Sequence, residues 1–489
     1  MLRKTGMRVL LSLLLLGLCA PVLAAASGHG DPIAPVLLGV TGVLFFAVIG
    51  RYLARRIGQP SVLGELVIGI LLGNLIYALG GDFILVLREG TALFDIVDLS
   101  LRGEPLEFAV EDRISDPVIA EKLLSVIRGE YGGALFGIAH AVDTFSRYGV
   151  IFLLFLVGLE SSVEEMREAG APSVRVAVVG MFSPFLLGLG STWVFMPEAD
   201  LGTLLFIGAT LGATSVGITA RVLNEMGAVR LPESRVILGA AIVDDVLGLI
   251  SLAVVSGIVV SGSFDPYAML HILALATMFV VAAFFGGPPI VRGVIGSLGA
   301  FEIAEAKIFV SFIFVMSLAW FANLVGLATI IGAFAAGLIL NDGYFQRWHD
   351  PNDKQHRCMT IKALMAPLEA VLVPIFFVLI GVQVKLESFL DVDVLIFAAG
   401  LTAAAVVGKL VSGYVAGRKV NRLAVGIGMM PRGEVGLIFA TLGKGLGVIN
   451  DSLFSAIVLM VMITTLISPP LLKRALGTPG EQQLEDKPQ

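Results

Sequence analysis

Residues 236–260 form a continuous apolar run whose only charges are two neighbouring carboxylates, Asp244 and Asp245, near its middle. A helix crosses a bilayer with about 20 apolar residues, so the run is long enough to span. In a spanning helix each centred aspartate costs roughly 2.5–3.5 kcal/mol by insertion scales. Few folds tolerate this. The charges must face a protein interior or a wet cavity, and a large scaffold must hold them there. Neighbours on a helix point about 100° apart, so one carboxylate can meet a protein partner while the other faces a cavity. Adjacent carboxylates also repel, which disfavours ionising both and leaves one proton exchangeable. A small cation can compete with that proton for the same oxygens. A buried structural network is the plainer alternative.

The remainder of the chain reads as that scaffold. Of 489 residues, 57% are hydrophobic and 15% charged, against about 25% charged in soluble domains. The apolar runs are continuous rather than alternating, which predicts an all-α polytopic membrane protein and not a barrel. About thirteen segments fit a span: 33–53, 62–80, 147–160, 173–196, 202–223, 235–260, 267–291, 307–324, 326–341, 361–384, 391–417, 421–445 and 452–472. Starting outside and crossing at each segment puts most Lys/Arg-bearing loops in the cytoplasm, including Arg51/Arg55/Arg56, 221–235, 292–307 and Arg418/Lys419/Arg422. The connections 197–200, 262–266, 387–391 and 448–452, which carry no Lys or Arg, fall outside. The positive-inside rule is met, with an acidic turn at 161–172 as the exception. The net charge of −6 and the lack of a basic tract argue against a nucleic-acid partner. The two cysteines, Cys19 and Cys358, provide no disulfide framework.

Residues 1–26 have Arg3, Lys4 and Arg8 before an apolar run, then Ala24-Ala25-Ala26. This is the anatomy of a cleaved secretory signal; the alternative is a first membrane helix. The expected division is a signal at 1–26, a membrane domain at 27–472 and a cytoplasmic tail at 473–489. Residues 81–146 form a long insertion, more acidic than basic, which suits an extracytoplasmic location. Within it Asp116-Pro117 and the apolar residues that follow predict a capped amphipathic helix. A surface insertion is the simple reading; a cap over the outer mouth or a dimer contact is the sharper one. His349, Asp353, His356 and Cys358 share a cytoplasmic loop, expected to be solvated, with a metal site or pH sensor as alternatives. Neither a Gly-x-Gly-Asp nor a His-Glu-x-x-His motif points to an enzyme.

Three further features share the expense of the aspartates. The segment 202–223 is interrupted by Gly212-Ala213-Thr214-Ser215 and Gly217, where Thr214 and Ser215 can hydrogen-bond an unwound backbone. An unbroken helix with small packing residues accounts for this stretch equally well. Lys409 lies deep in 391–417, too deep to reach the interface with ease, and is expected to pair with an intramembrane aspartate. A second break falls at Met430-Pro431-Arg432-Gly433-Glu434, where proline removes a helix donor and Arg432 and Glu434 bring charge to membrane depth. The alternative there is a cytoplasmic loop with a helix starting at Glu434. Two interrupted segments, one in each half, point to a midplane site between inverted repeats. Arg432 and Glu434 would then compensate the partial charges of the half-helix ends.

The combination ATSVGITARVLNEMG, ILGAAIVDDVLGLI, VVGKLVSG and GMMPRGEVGLI resembles the bacterial sodium/proton antiporters of the second monovalent cation:proton antiporter family, across most of 33–472. The resemblance implies a dimer, a core with two crossed discontinuous helices, and an elevator-like motion against a dimerisation domain. It implies Asp245 as the ion-binding carboxylate, Asp244 as the one paired with Lys409, Thr214 and Ser215 at the first crossing, and Arg432 and Glu434 at the second. It implies exchange of Na+ (or Li+) for H+ across the inner membrane by alternating access, electrogenic because both aspartates and the lysine are present, with no cofactor. Some family members carry an aspartate where this chain has Ser215, so the cation has fewer carboxylate ligands here. Exchange or efflux of K+ is the alternative function, and a sodium-coupled solute symporter is a further one.

Overall fold

The computed structural model describes residues 33–79, 81–89, 96, 99–100, 102–114, 117–160, 170–215, 219, 222–223, 226, 228, 231–261, 274, 278–279, 285–295, 303–325, 327–348 and 360–476, with the backbone alone at Asp112, Glu160, Ile242, Ser261, Ile303, Gln346, Arg347, Trp348 and Glu434. The helices are α1 (Ile33–Arg56), α2 (Ser61–Ala78), α3 (Asp82–Arg88), α4 (Leu106–Arg113), α5 (Pro117–Arg128), α6 (Gly132–Glu160), α7 (Gly170–Phe195), α8 (Leu201–Gly212), α9 (Pro232–Ser261), α10 (Ile303–Leu324), α11 (Thr329–Ile339), α12 (Ile361–Gln383), α13 (Val392–Tyr414), α14 (Arg422–Gly428), α15 (Gly433–Gly445) and α16 (Asp451–Leu476). Short 3-10 turns fall at Asp342–Trp348 and Leu386–Leu390. Among the described residues there is no strand, and nine helices are long and apolar enough to cross a membrane.

The expected segments reappear with three differences. The span expected at 147–160 begins earlier, at Gly132. Its first half carries His140, Asp143 and Arg147, which a hydropathy reading treats as loop, but Arg147 pairs with Asp143 one turn back at 2.6 Å. Leu135, Ile138, Ala139 and Val142 bury the opposite face. The segment 326–341 yields only α11, eleven residues long and buried around almost its whole circumference. The segment 267–291 lies largely outside the described residues, of which 285–295 are helical. The signal, the His349–Cys358 loop and most of the tail also lie outside them.

The described residues form two compact units: one from the residues up to Gly149 with Ala370–Glu387, the other from Val150–Glu369 with the residues from Ser388 on. In the first, the 81–146 segment is folded into the core. α5 forms as expected from Pro117, and its Ala120, Leu123 and Val126 join Ile84–Leu87 of α3 and α4's Ala109 and Val110 in one cluster with Val43, Ala47, Ile375, Val378 and Val382. Charged residues close one end: Arg88 meets Glu387 at 2.5 Å and stacks over Tyr77, and Lys385 meets Glu89 at 2.6 Å. The Asn74 amide donates to the Ile70 and Val384 carbonyls and its oxygen accepts from Leu386 N–H. Glu65, buried in α2, accepts from Arg51 of α1 at 2.7 Å.

Glycine sets the helix separations. A Cβ on Gly50 of α1 would lie 2.3 Å from the Gly64 carbonyl oxygen of α2. One on Gly69 of α2 would meet the Val378 oxygen at 2.3 Å, and one on Gly381 of α12 the Leu66 oxygen at 2.3 Å. In the second unit Gly158 of α6 and Gly337 of α11 sit back to back, each missing Cβ within 2.3 Å of the other helix's carbonyls. In lipid, where apolar helices gain little by hiding from one another, such close backbone packing is a main source of association.

The second unit contains one arrangement twice: a long helix, an interrupted helix, a long helix. The first copy is α7, the segment that starts with α8, and α9. The second is α13, the α14–α15 pair, and α16. The leading helices α7 and α13 pack against each other along much of their length, and α8 packs on α15, so the interrupted elements meet.

Candidate functional site

α8 starts where Asp200 accepts hydrogen bonds from the Gly202 and Thr203 amides, a capping arrangement that satisfies first-turn donors. The helix stops at Gly212. Ala213 is extended, at φ −62° and ψ 146°, and 213–215 are not helical. α14 starts similarly, with the Asn421 side chain accepting from the Ala424 amide, and stops at Gly428. α15 resumes at Gly433, whose φ of +37° is a conformation glycine adopts without penalty. Both segments are therefore broken, as the two motifs predict.

The breaks bond to one another. Ser215 N–H donates to the Pro431 carbonyl at 2.9 Å. The wholly buried Arg432 guanidinium donates to the Ala213 carbonyl, and to Ala405 of α13 at 3.4 Å. The Thr219 hydroxyl donates to the Gly428 carbonyl at 2.7 Å. Helix C-termini leave carbonyls without partners and concentrate partial negative charge. Here each interrupted segment closes the other's open end, one with a cation and one with a hydroxyl. The Thr214 hydroxyl oxygen is buried and has no hydrogen-bond partner among the described residues. Glu434 is the second residue of α15, and its side chain is outside the described residues.

α9 carries the aspartates past this crossing. Gly248, one turn after Asp244, lies against it: a Cβ there would be 3.8 Å from Ala213 Cβ and 4.0 Å from Phe439 Cζ. Asp244 is wholly buried and faces Lys409 of α13, also wholly buried, with Nζ 3.3 and 3.4 Å from the two carboxylate oxygens. Asp245 is half-buried. The helical angle between neighbours thus gives the two carboxylates different burial. The pair sits among α7, α9 and α13, and the Ser412 hydroxyl of α13 donates to the Lys409 carbonyl at 2.7 Å.

The sequence reading brought Asp244, Lys409, Thr214, Ser215 and Arg432 into view. Thr219 belongs to the same polar stretch as Thr214 and Ser215; the supports missed were Gly248 and Gly180 of α7, where a Cβ would lie 3.4 Å from Lys409 Nζ. A proline four residues beyond Gly180, within an apolar run, was the available signal. The oxygen donors here, carboxylate, hydroxyl and carbonyl, suit hard cations. Among the described residues no three His, Cys, Asp or Glu side chains gather as a metal cluster.

The family described as sodium/hydrogen exchanger, transmembrane, matches residues 43–476. The high-affinity Na(+)/H(+) antiporter NhaS3 of Synechocystis sp. is 34% identical over 482 residues, covering 96% of this chain and 96% of that protein. The Na(+)/H(+)-K(+) antiporter GerN of Bacillus cereus is 30% identical, covering 89% of this chain and 95% of its own length. Among solved structures, the sodium proton antiporter MjNhaP1 from Methanocaldococcus jannaschii aligns with a TM-score of 0.59 at 15% identity, covering 92% of this chain and 99% of that one. At that identity the likeness speaks to the fold alone.

Proposed function

The chain belongs to the sodium/hydrogen exchanger family, and from that premise we propose that it is a multi-pass membrane antiporter exchanging Na+ (or Li+) for H+ by alternating access. The observation that carries this is the inequality of the adjacent aspartates: Asp244 is sealed against Lys409, while Asp245 is half-buried on α9, the helix that packs against both broken segments. Asp245 is the group that exchanges a proton for the cation, with Thr214 and Ser215 supplying further oxygens. The Thr214 hydroxyl, which has no partner among the described residues, supports that role. Asp244 holds or releases Lys409 according to its own protonation, which makes the exchange electrogenic.

Coupling follows from electrostatics. With neither proton nor cation on Asp245, the site carries uncompensated charge, and moving it past a hydrophobic barrier is unfavourable by several kcal/mol. Only the loaded forms cross. An inward proton gradient then drives sodium out. Arg432, with Glu434 beside it, balances the helix ends at the crossing and does not carry the ion.

In this reading the protein works as a homodimer in a bacterial inner membrane. Residues 1–26 are removed as a signal, the mature N-terminus lies outside, and 473–489 lie in the cytoplasm. Residues 27–472 form the transport domain, with 81–146 on the outer side. Potassium is the second candidate cation, because GerN's name includes it.

The test is proton movement in liposomes carrying a preset pH gradient. Na+ or Li+ is expected to collapse the gradient faster than K+. No collapse with any of the three would exclude antiport. Cation flux without proton movement would point to a channel.

A further inference from the structure

The Lys409 ammonium makes one long contact, to Asp244 at 3.3 and 3.4 Å, and no other hydrogen bond among the described residues. Gly180 of α7 is also close, since a Cβ there would lie 3.4 Å from Nζ and 3.4 Å from Ser412 Cβ. Four residues further on, α7 carries Pro184 within the helix. Proline has no N–H, so the Gly180 carbonyl lacks the amide donor that its place in a helix would normally give it, and the ring pushes against that carbonyl. α13 presses on the same turn: a Cβ on Gly408 would sit 2.6 Å from Pro184 Cα. Gly180 and Pro184 on α7 therefore face Gly408, Lys409 and Ser412 on α13. The Ser412 hydroxyl donates its hydrogen bond to the Lys409 carbonyl, which leaves its oxygen as an acceptor.

We propose that the Gly180 carbonyl, freed by Pro184, is a second resting place for the Lys409 ammonium, and that Gly180 and Pro184 are positioning residues for exchange. The inference rests on the antiport reading. When Asp244 takes a proton, the buried ammonium loses its contact carboxylate and keeps only the weaker attraction of Asp245, which Arg432 opposes. An unpaired buried cation is strongly disfavoured. Rotation of the terminal side-chain torsions brings Nζ to the backbone acceptor beside it, with the Ser412 oxygen as a neighbour. No bond is made or broken beyond hydrogen bonds: the proton goes to Asp244, and the ammonium keeps its own three. The missing side chain at Gly180 leaves the path open, and the missing amide at residue 184 leaves the acceptor free.

Pro184→Ala tests this, because it restores the amide donor to the Gly180 carbonyl and changes no charge. In liposomes the variant is expected to turn over about tenfold more slowly, while the half-saturating Na+ concentration stays within about twofold. A general packing defect would not be confined to turnover in this way. In a Lys409→Gln background the same substitution is expected to have no further effect. Sodium-dependent thermal stabilisation checks that Pro184→Ala folds. If it does not, Gly180→Ala, which sets a methyl against Nζ, carries the test with the same expected pattern. Unchanged turnover in the folded variant, or slowing that persists undiminished in the Lys409→Gln background, overturns the proposal. Failure of the antiport reading is distinguishable: the parent protein itself would then show no cation-driven proton movement.

Discussion

The two copies of the long–interrupted–long arrangement share a plan and divide the chemistry. The first, from α7 to α9, supplies the acids, Asp244 and Asp245. The second, from α13 to α16, supplies the bases, Lys409 and Arg432. Neither copy can hold its charges alone, since a buried carboxylate or ammonium needs an opposite partner. The division also runs through the breaks. Arg432 of the second copy closes the C-terminal end of α8, and Thr219 of the first closes α14. The difference teaches that repetition supplies geometry while asymmetry supplies function: an all-acid site would repel itself, and an all-base site would exclude sodium.

The strongest way to break this comparison is to change one member of each charge set. Asp245→Asn is expected to lower Na+-driven proton exchange by about a hundredfold or more, equivalent to about 2.7 kcal/mol. Lys409→Gln is expected to retain exchange at a reduced rate and to lose its dependence on membrane potential. Both are read in liposomes with and without an imposed potential. Full exchange by Asp245→Asn would sink the site assignment, and an unchanged potential dependence in Lys409→Gln would remove the lysine from the charge count.

The breaks offer a smaller contrast. Arg432→Met takes the guanidinium donor from the buried Ala213 carbonyl, which lies past the end of α8, and is expected to cost about 3 kcal/mol. Thr219→Val removes one neutral hydrogen bond and is expected to cost about 1 kcal/mol. Thermal unfolding in detergent ranks them, and the reverse order would mean that the two closures are not equivalent in kind. The smallest effect is at the N-caps where the two interrupted segments begin. Asp200→Ala and Asn421→Ala are each expected to cost about 0.5 kcal/mol. A loss confined to one of them would show that the copies differ in stability as well as charge.

Much of this was legible in the sequence because expense is visible there. A charge in an apolar run needs a reason, so Asp244, Asp245, Lys409 and Arg432 announce themselves, and Pro431 marks a break. Supports made from missing groups are harder to see. Gly180 acts by having no side chain and Pro184 by having no amide, and each is an ordinary residue of a membrane helix until its neighbour is known. The first half of α6 was obscured for the opposite reason: Asp143 and Arg147 read as loop residues, yet they satisfy each other along one face of a helix. The 81–146 segment reads as an acidic surface insertion, and its short apolar runs, Ile84–Leu87 among them, do not say that they build a core with Val43, Ile375 and Val382.

The glycine contacts bear on how such a sequence can drift. At Gly69 with Gly381, and at Gly158 with Gly337, two helices touch backbone to backbone, and any side chain at either position would push them apart. No compensating change at the partner restores the fit, because the partner has nothing left to remove. Ordinary core contacts wander through paired exchanges of large for small. These have no such route and must be inherited unchanged, so their positions would stay fixed in descendants whose ion sites had long since been retuned.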